Sequence, residues 1–586
     1  MNNTNIPKFQ MHYVKSKKLL LESLEKQVEL NPIDLENDYN PFRIQNLQNY
    51  NPIYSLFFEL TESNFNKISL NHKYHFLDMN HIVDIESKIE YEKEVFIKYS
   101  PLIDPFRYMT GKYKVETETV KQLPNPYKND TQIQPMSKVS YYNNASYIDN
   151  FFSFLVSKFM QQHNFLHGVD YYGSYLGVQD KFKVNISDDL EYLSSSDYFS
   201  KNNNKLFSIT FNEKDEFANF GSRGNKEKLI INNQSLHNLS VDNLEIEIET
   251  LDNDTVISNK EELVYEKTCT NTLSSSDSSS DSSSVNSVED TEENKDVSSD
   301  EDTSATYSTG DEWTSCTETD EDDEDGSDCD YEEETQQYAF VNNFPIQLIC
   351  LEKCAGTLDE LFEKDEISES IGAAALMQII MTLIVYQKAF HFTHNDLHTN
   401  NIMYVHTHHK YLYYRFNKIT YKVPTYGKIF KIIDFGRSIY KYNGQLLFSD
   451  SFSEGNDAAT QYNCEPFMNE DKPRIDPNYS FDLSRLGASI YDFIIEDDRN
   501  PENFDNLQDI IYRWCLDDNG KNVLYKRNGE ERYPNFKLYK MIARTVHKHV
   551  PQDQLELPIF KQFVQKGNKT DKTENLLDID SLPVYI

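Results

Sequence analysis

The chain has 586 residues, of which 38% are apolar and 13% aromatic, so it is long enough for two or more domains with a sizeable core. Its seven cysteines show neither C-x-x-C pairs nor the density of a secreted disulfide scaffold, which predicts a reducing compartment. The net charge of −39, without a basic stripe, argues against a nucleic-acid partner. Residues 1–30 lack an apolar signal-peptide core, so we expect a protein that is not secreted.

The negative charge is concentrated between residues 271 and 335, where 24 acidic residues accompany a single lysine. From about residue 180 to about residue 340 the composition is dominated by Ser, Asn, Asp and Glu. Such a segment cannot bury enough apolar surface to offset its conformational entropy, which predicts a long disordered acidic insertion. Two roles stay open for it: a solubilising loop, or a segment that is regulated or that binds a basic partner.

Residues 1–73 carry no chemical signal and are interpreted as an N-terminal extension. From residue 74 the pattern turns to β-type residues and ends in Val95-Phe96-Ile97-Lys98. A lysine at the end of a strand is usually a surface residue, but Lys98 becomes a candidate phosphate ligand because of the motifs that follow it in the chain. No G-x-G-x-x-G lies between residues 74 and 98, which predicts either a lid built from side chains or weakened nucleotide binding.

A helix is predicted over residues 145–162, because its apolar residues recur at the spacing of one buried face. Asp149 is the nearest acid on this helix that could pair with Lys98. The alternative, equally open from the sequence, is a solvated acid favoured by the helix dipole.

Residues 346–358 combine an apolar run, typical of a central strand, with a turn that leads into a helix. The next apolar stretch, 371–390, is long enough to resemble a membrane span, but it contains Gln378, Gln387 and Lys388. It also leads directly into a polar motif. We therefore predict a buried helix and no membrane association.

That polar motif, residues 394–401, reads His-Asn-Asp-Leu-His-Thr-Asn-Asn and is followed by Asp-Phe-Gly at 434–436. Transfer of a γ-phosphoryl group requires Mg²⁺ to neutralise the polyphosphate and a base to orient the accepting hydroxyl. Asn401 and Asp434 supply an amide oxygen and a carboxylate, the ligand types that Mg²⁺ prefers. Asp396 is then the candidate base.

Residues 437–478 are polar and are predicted to be irregular, with Cys464-Glu465-Pro466 near their end. Four hydroxyl side chains are expected to be available in this segment: Ser449, Ser451, Ser453 and Thr460. The segment is followed by a predicted helix over 480–491 that contains Asp482 and Gly487.

Taken together and in this order, Lys98, the 394–401 loop, Asp434–Gly436 and the 480–491 helix resemble the eukaryotic-type protein kinase superfamily. The resemblance implies an α+β, bilobal protein-kinase-like fold. The small β-rich lobe would span 74–350 and carry the insertion at about 180–340. The larger, mostly α-helical lobe would span 351–566, followed by a tail at 567–586.

The resemblance also implies roles for individual residues. Lys98 would contact the α and β phosphates of ATP, and the backbone of Glu352 to Cys354 would meet the adenine edge. Asp396 would act as the base, while Asn401 and Asp434 would bind magnesium. In the 480–491 helix, the buried Asp482 would hydrogen-bond the backbone of the 394–401 loop.

The motif departs from the family pattern at two positions. Asn395 replaces the arginine that receives an activation-segment phosphate, which argues against a phosphate switch of that kind. His398 replaces a lysine, as in haspin-like kinases and in the H-G-D-L-H-x-x-N loops of small-molecule phosphotransferases. The Asn- and Tyr-rich composition is similar to that of kinases of large DNA viruses of amoebae, which implies infected-cell cytoplasm or the virion.

We predict ATP- and Mg²⁺-dependent phosphorylation of Ser or Thr in proteins, with a basic protein among the candidate substrates. Phosphorylation of tyrosine stays open. Two alternatives are a catalytically inactive binding module and a phosphotransferase of the aminoglycoside- or choline-kinase type. A transition-metal site at His391, His394 and His398 is disfavoured, because their spacing is scattered and no sulfur or carboxylate set accompanies them.

Overall fold

The computed structural model describes residues 8–15, 19–129, 132–210, 337–495, 500–565 and 576–586. Most of the predicted acidic insertion, residues 211–336, lies outside the described residues, and so does the prediction that it is disordered.

Strands occur in both halves of the described chain, with the longest two in the N-terminal half. In chain order they are β1 (Tyr13–Lys15), β2 (Ile44–Gln48), β3 (Ile68–Leu70), β4 (Tyr74–Asp78), β5 (His81–Asp84), β6 (Glu90–Glu92), β7 (Val95–Pro101), β8 (Tyr171–Asn185), β9 (Phe207–Ile209), β10 (Tyr338–Glu352), β11 (Gly356–Thr357), β12 (Ile402–His406), β13 (Tyr411–Phe416), β14 (Ile419–Pro424), β15 (Lys428–Ile432), β16 (Ile439–Tyr442), β17 (Gln445–Phe448) and β18 (Leu576–Asp578).

The longer helices lie mostly in the C-terminal half. In chain order they are α1 (Leu21–Glu25), α2 (Pro32–Glu36), α3 (Pro105–Met109), α4 (Thr117–Val120), α5 (Ser137–Ser140), α6 (Ala145–His163), α7 (Leu190–Ser194), α8 (Asp197–Asn202), α9 (Leu358–Glu363), α10 (Glu369–Phe390), α11 (Phe481–Ile494), α12 (Asn506–Trp514), α13 (Lys537–Thr545), α14 (Pro551–Gln554) and α15 (Pro558–Lys561). The structure is thus mixed, with a sheet-rich N-terminal region and a helical C-terminal region.

The N-terminal region is built on an antiparallel sheet in the order β2-β8-β10-β7, with β9 also paired to β10. Strand β10 is buried along nearly its whole length, which agrees with its mostly apolar sequence. Its register with β7 places Ile349 opposite Lys98. The sheet therefore fixes the position of Lys98 relative to the chain segment that follows Glu352.

Helix α10 is the core of the C-terminal region. The Ser368 side chain accepts a hydrogen bond from the Ile371 N–H at its start, and His391 ends it in the left-handed conformation at φ +50°. By length and composition α10 could cross a membrane, yet 83% of its apolar stretch is buried inside the molecule. A core helix meets the same criterion, and the buried helix predicted from the sequence is confirmed.

The pairing of β12 with β15 brings two parts of the predicted site together. Strand β12 begins directly after Asn401, and β15 ends two residues before Asp434. Because the strands are antiparallel, with Ile402 opposite Ile432, the start of one lies beside the end of the other. The Ile433 N–H donates to the Asn401 carbonyl at 3.0 Å, which closes this junction.

The structure differs from the predicted domain boundaries in three places. Strand β2, from the predicted N-terminal extension, pairs with β8 in the main sheet. The predicted insertion was drawn too wide, because residues 180–210 and 337–340 contribute strands and helices. Strand β18, from the predicted tail, pairs in parallel with β13. In each case the polar composition concealed a few apolar side chains that become buried, such as Phe199 and Leu577.

The segment after Asp434 is also more regular than predicted. Strands β16 and β17 form an antiparallel hairpin within it. Ser449 and Ser451, expected to be available, are buried. The Ser449 hydroxyl donates to the Gly436 carbonyl at 2.6 Å, so it serves the local fold.

Candidate active site

Lys98, Asp149 and Asp434 form an ionic cluster between the main sheet, helix α6 and the end of β15. The Lys98 Nζ lies 3.1 Å from Asp149 Oδ2 and 3.0 Å from Asp434 Oδ1. All three side chains are largely buried, so water screens these pairs only weakly. The structure thus contains the Lys98–Asp149 pair, which was one of the two alternatives drawn from the sequence.

Helix α6 positions Asp149. The Asn144 side chain caps the helix by accepting from the Ser146 N–H, and the Asp450 carboxylate accepts from the Ala145 N–H at 3.0 Å. Asp149 also accepts from the Phe435 N–H through Oδ1 at 2.9 Å. One carboxylate therefore connects Lys98 to the backbone of the Asp-Phe-Gly segment.

Asp434 adopts the left-handed backbone conformation at φ +59°, which is uncommon for a residue with a side chain. Such conformations persist only where the surrounding contacts hold them. Burial disfavours the charged form of Asp434, but the Lys98 ammonium outweighs this effect and holds the pKa of that carboxyl below its usual range. Asp434 is therefore ionised at neutral pH.

Asp482 on α11 stabilises the 394–401 loop through two hydrogen bonds. The His394 N–H donates to Asp482 Oδ2 at 2.9 Å, and the Asn395 N–H donates to Oδ1 at 2.8 Å. Asn395 is itself left-handed, at φ +65°, so these two hydrogen bonds stabilise a strained turn. The contact between Asp482 and the loop backbone, expected from the resemblance, is confirmed.

Both carboxylate oxygens of Asp396 have partners within the chain. Oδ1 accepts from the Tyr539 hydroxyl at 2.7 Å, and Oδ2 lies 3.2 Å from Arg437 Nη1. Burial alone would raise the pKa of Asp396, but Arg437 and Arg485 outweigh it and hold that pKa well below its usual range. The candidate base is thus a carboxylate at neutral pH.

Asn401 and His398 lie on the other side of the loop. The Asn401 amide nitrogen donates to the Asp396 carbonyl at 3.0 Å and lies 3.0 Å from His398 Nε2. Burial lowers the pKa of His398 to about 4, so the ring is neutral at pH 7 and accepts this hydrogen bond. With both amide hydrogens engaged in the loop, the Asn401 oxygen is the atom left for a ligand.

The oxygen set fits a magnesium ion. An amide oxygen from Asn401 and a carboxylate from Asp434 are hard ligands, and Mg²⁺ needs few protein ligands because it retains several waters. No cluster of three or more His, Cys, Asp or Glu side chains that could hold a metal occurs among the described residues. This set therefore suits an ion whose remaining ligands are water and phosphate.

The predicted adenine contacts, Glu352 and Cys354, lie at the end of β10. The Glu352 side chain points into a second ionic cluster, 2.6 Å from Lys431 Nζ and 3.2 Å from Lys93 Nζ, and its N–H donates to the Asp170 carbonyl at 2.9 Å. These contacts fix the start of the segment. Cys354 is buried, with a thiol pKa raised by burial to about 12. The structure does not bring either side chain into the Lys98 cluster, and a role for their backbone stays a prediction.

The absence of a glycine-rich loop has a structural counterpart. Among the described residues, β7 forms a ladder only with β10, and the turn of the β4–β5 hairpin contacts the start of β7 through a hydrogen bond from the Val95 N–H to the Met79 carbonyl at 2.8 Å. Residues 78–81 of that turn include no glycine, the residue that would let a backbone close over phosphates.

Three contributors to the site were missed by sequence reasoning. Arg437 directly follows Asp434–Gly436 and could have been considered as a partner for Asp396. The Tyr462 hydroxyl donates to Asn395 Oδ1 at 2.7 Å. Asn395, which replaces the arginine of the kinase pattern, is therefore held by a hydrogen bond between neutral groups. Tyr539 lies 143 positions from Asp396 in the chain, and no local pattern indicated it.

Comparison with known proteins gives a similarity of limited extent. The chain is similar, over part of its length, to a protein-kinase-like family. A stretch of 107 residues, 18% of the chain, is 34% identical to the serine/threonine-protein kinase haspin of Mus musculus, and 103 residues, 17% of the chain, are 34% identical to that of Bos taurus. The matched stretches span only 14% and 13% of those relatives. No family model matches the chain.

Proposed function

We propose that this protein transfers the γ-phosphoryl group of ATP to Ser or Thr hydroxyls of a protein substrate. The observation that carries the proposal is the convergence of Lys98, Asp434 and the Asp482-supported loop, although Lys98 lies more than 300 positions before Asp434 in the chain. A phosphoryl-transfer site consists mainly of positioned charges, and this cluster supplies them. The partial similarity to haspin adds support from an independent direction.

In this proposal each residue has one task. Lys98 binds the phosphates of ATP, and Asn401 and Asp434 hold magnesium, which would neutralise charge on the phosphates. Asp396 accepts the proton of the attacking hydroxyl. The backbone of Glu352 to Cys354 contacts adenine. A bilobal kinase-like fold, with the N-terminal sheet and the helical region as its lobes, is part of the same proposal.

Several finer points rest on the sequence alone and are proposed as such. A basic protein is proposed as the substrate, because the chain carries a net charge of −39. A viral origin, with the protein in infected-cell cytoplasm or in the virion, follows from composition. A small-molecule substrate is less favoured, because Asp482 supports the loop as expected from the protein-kinase pattern.

A second function, nucleotide or protein binding without catalysis, is favoured by one observation. The β4–β5 hairpin beside the start of β7 has no glycine in its turn, residues 78–81, so it lacks the glycine-rich lid that closes over phosphates in the kinase pattern. ATP binding without transfer would support this alternative.

The experiment that separates the two measures transfer of labelled phosphate from ATP to a basic protein, alongside equilibrium binding of ATP. Asp434→Asn is expected to abolish transfer while leaving the melting temperature within a few degrees of wild type. Asp509→Asn is a matched control, because Asp509 pairs with Arg513 on exposed surface at 2.7 Å. Transfer that survives Asp434→Asn would contradict the proposed metal role.

A further inference from the structure

The contact between Tyr539 and Asp396 is not needed by the chemistry proposed above. The Tyr539 hydroxyl is the donor, and Asp396 Oδ1 is the acceptor, at 2.7 Å. A substrate hydroxyl in the proposed reaction would make the same hydrogen bond to the same carboxylate before transfer. Tyr539 therefore makes the contact that defines the acceptor position.

Packing holds the Tyr539 ring in this place. The ring is only 8% exposed and stacks on Phe536 at 5.2 Å between centroids, with Phe481 at 6.2 Å. The guanidinium groups of Arg485 and Arg437 lie 5.0 and 5.6 Å from the ring centroid. Contacts of this kind favour an aromatic ring beside a cation. The ring is thus held so that its hydroxyl stays beside the Asp396 carboxylate.

The second oxygen of Asp396 is paired with a charged side chain. Oδ2 lies 3.2 Å from Arg437, and the same arginine donates to Asp457 at 2.7 Å. Arg437 is held by two carboxylates, so it is not readily displaced. Of the two partners of Asp396, Tyr539 makes the weaker contact with the carboxylate, because its hydroxyl carries no charge.

We propose that Tyr539 occupies the acceptor position in cis, so that an external hydroxyl reaches Asp396 only after Tyr539 has moved away. This inference rests on the proposed function and deepens it. The described conformation is then a self-blocked state. Movement of α13, or rotation of the Tyr539 side chain, is the step that admits a substrate.

Tyr539→Phe tests the inference, because it removes the hydroxyl and keeps the ring that packs on Phe536. We expect kcat/KM for a protein substrate to rise by about 10-fold, mainly through a lower KM for that substrate, since a hydrogen bond to a charged group is lost from the blocked state. The KM for ATP should be unchanged. A purely structural role for Tyr539 would instead lower activity or leave it unaltered.

Tyr525→Phe is the matched control. Its hydroxyl also donates to a carboxylate, that of Asp492, at 2.8 and 2.7 Å to the two oxygens, away from the site and on exposed surface. We expect no change in KM for either substrate. Thermal melts of both variants establish that the fold is kept.

The outcomes separate the inference from the proposed function. A lower acceptor KM in Tyr539→Phe, absent in Tyr525→Phe, supports the inference. Equal acceptor KM in wild type and Tyr539→Phe, with transfer present in both, overturns the inference and leaves the proposed function intact. ATP binding without transfer in every variant overturns both, because no acceptor position would then exist.

Discussion

Asp149 is the residue where the structure makes the sharpest quantitative prediction. It lies on helix α6 and contacts Lys98 at 3.1 Å and the Phe435 N–H at 2.9 Å. Asp149→Asn preserves an oxygen for Phe435 and removes the charge that faces Lys98. Lys98 keeps Asp434 at 3.0 Å, so the loss is smaller than that of a buried pair left with one unpaired charge, about 3–5 kcal/mol.

The expected cost is that of one hydrogen bond to a charged group, about 1.5–3 kcal/mol. If this cost falls on the transition state, kcat/KM for ATP decreases by about 10- to 150-fold, since about 1.4 kcal/mol corresponds to a factor of ten. The assay is phosphate transfer at varied ATP and saturating acceptor. The control is Glu118→Gln, which breaks an exposed pair with Lys121 at 2.9 Å and should change kcat/KM by less than about twofold.

A wild-type kcat/KM for ATP in Asp149→Asn, with a thermal melt that shows a folded protein, would contradict this prediction. Lys98 would then be positioned by Asp434 alone, and the helix would contribute only packing.

Three further predictions follow from single contacts. Asp482→Asn should lower the free energy of unfolding by about 2–3 kcal/mol and reduce kcat, because the new amide N–H would face a backbone N–H of the 394–401 loop. Urea unfolding measures the change in stability, and the transfer assay measures the change in kcat. Burial lowers the pKa of His167 to about 4 in the folded protein. The unfolded chain therefore binds more protons than the folded chain between about pH 6.5 and 4. As the pH decreases across that window, the free energy of unfolding should fall by up to about 3 kcal/mol. His167→Gln should reduce this slope in denaturant titrations at pH 7, 5 and 4, where His398 and His163 also contribute, and an unchanged slope would exclude a contribution from His167. Tyr585→Phe removes the hydroxyl that lies 2.7 Å from His163 Nε2 and should cost about 1–2 kcal/mol of stability without changing kcat.

The parts of the site that could be predicted from the sequence are those whose functional residues lie close together in a short motif. Residues 394–401 and 434–436 each carry their pattern within eight positions or fewer, and the structure joins them through the pairing of β12 with β15. Asp482 was predictable in the same way, from the residues around it on one helix. Local spacing is sufficient where a short segment fixes its own geometry.

Contacts between distant segments were harder to predict, because a single residue forms no motif that the sequence could reveal. Tyr539 is one tyrosine among 39, and only the packing of α13 against α11 brings it to Asp396. The predicted boundaries of the insertion were wrong for a related reason. Residues 186–210 are mostly polar, yet the burial of Leu193, Phe199 and Phe207 is enough to hold them on the main sheet.

The hydrogen bonds around Asn395 explain how the segment after Asp434 is held without a phosphate. Asn395 carries no charge, and it donates to the Thr393 and Arg437 carbonyls and accepts from Tyr462. In the kinase pattern an arginine at this position would need an anion, whereas this network is satisfied by neutral groups inside the protein. The loop and the segment are therefore fixed in the described conformation, and the contact most readily altered at Asp396 is the hydroxyl of Tyr539. Control of the site would then act through access of the substrate hydroxyl to Asp396, rather than through assembly of the charged cluster around Lys98.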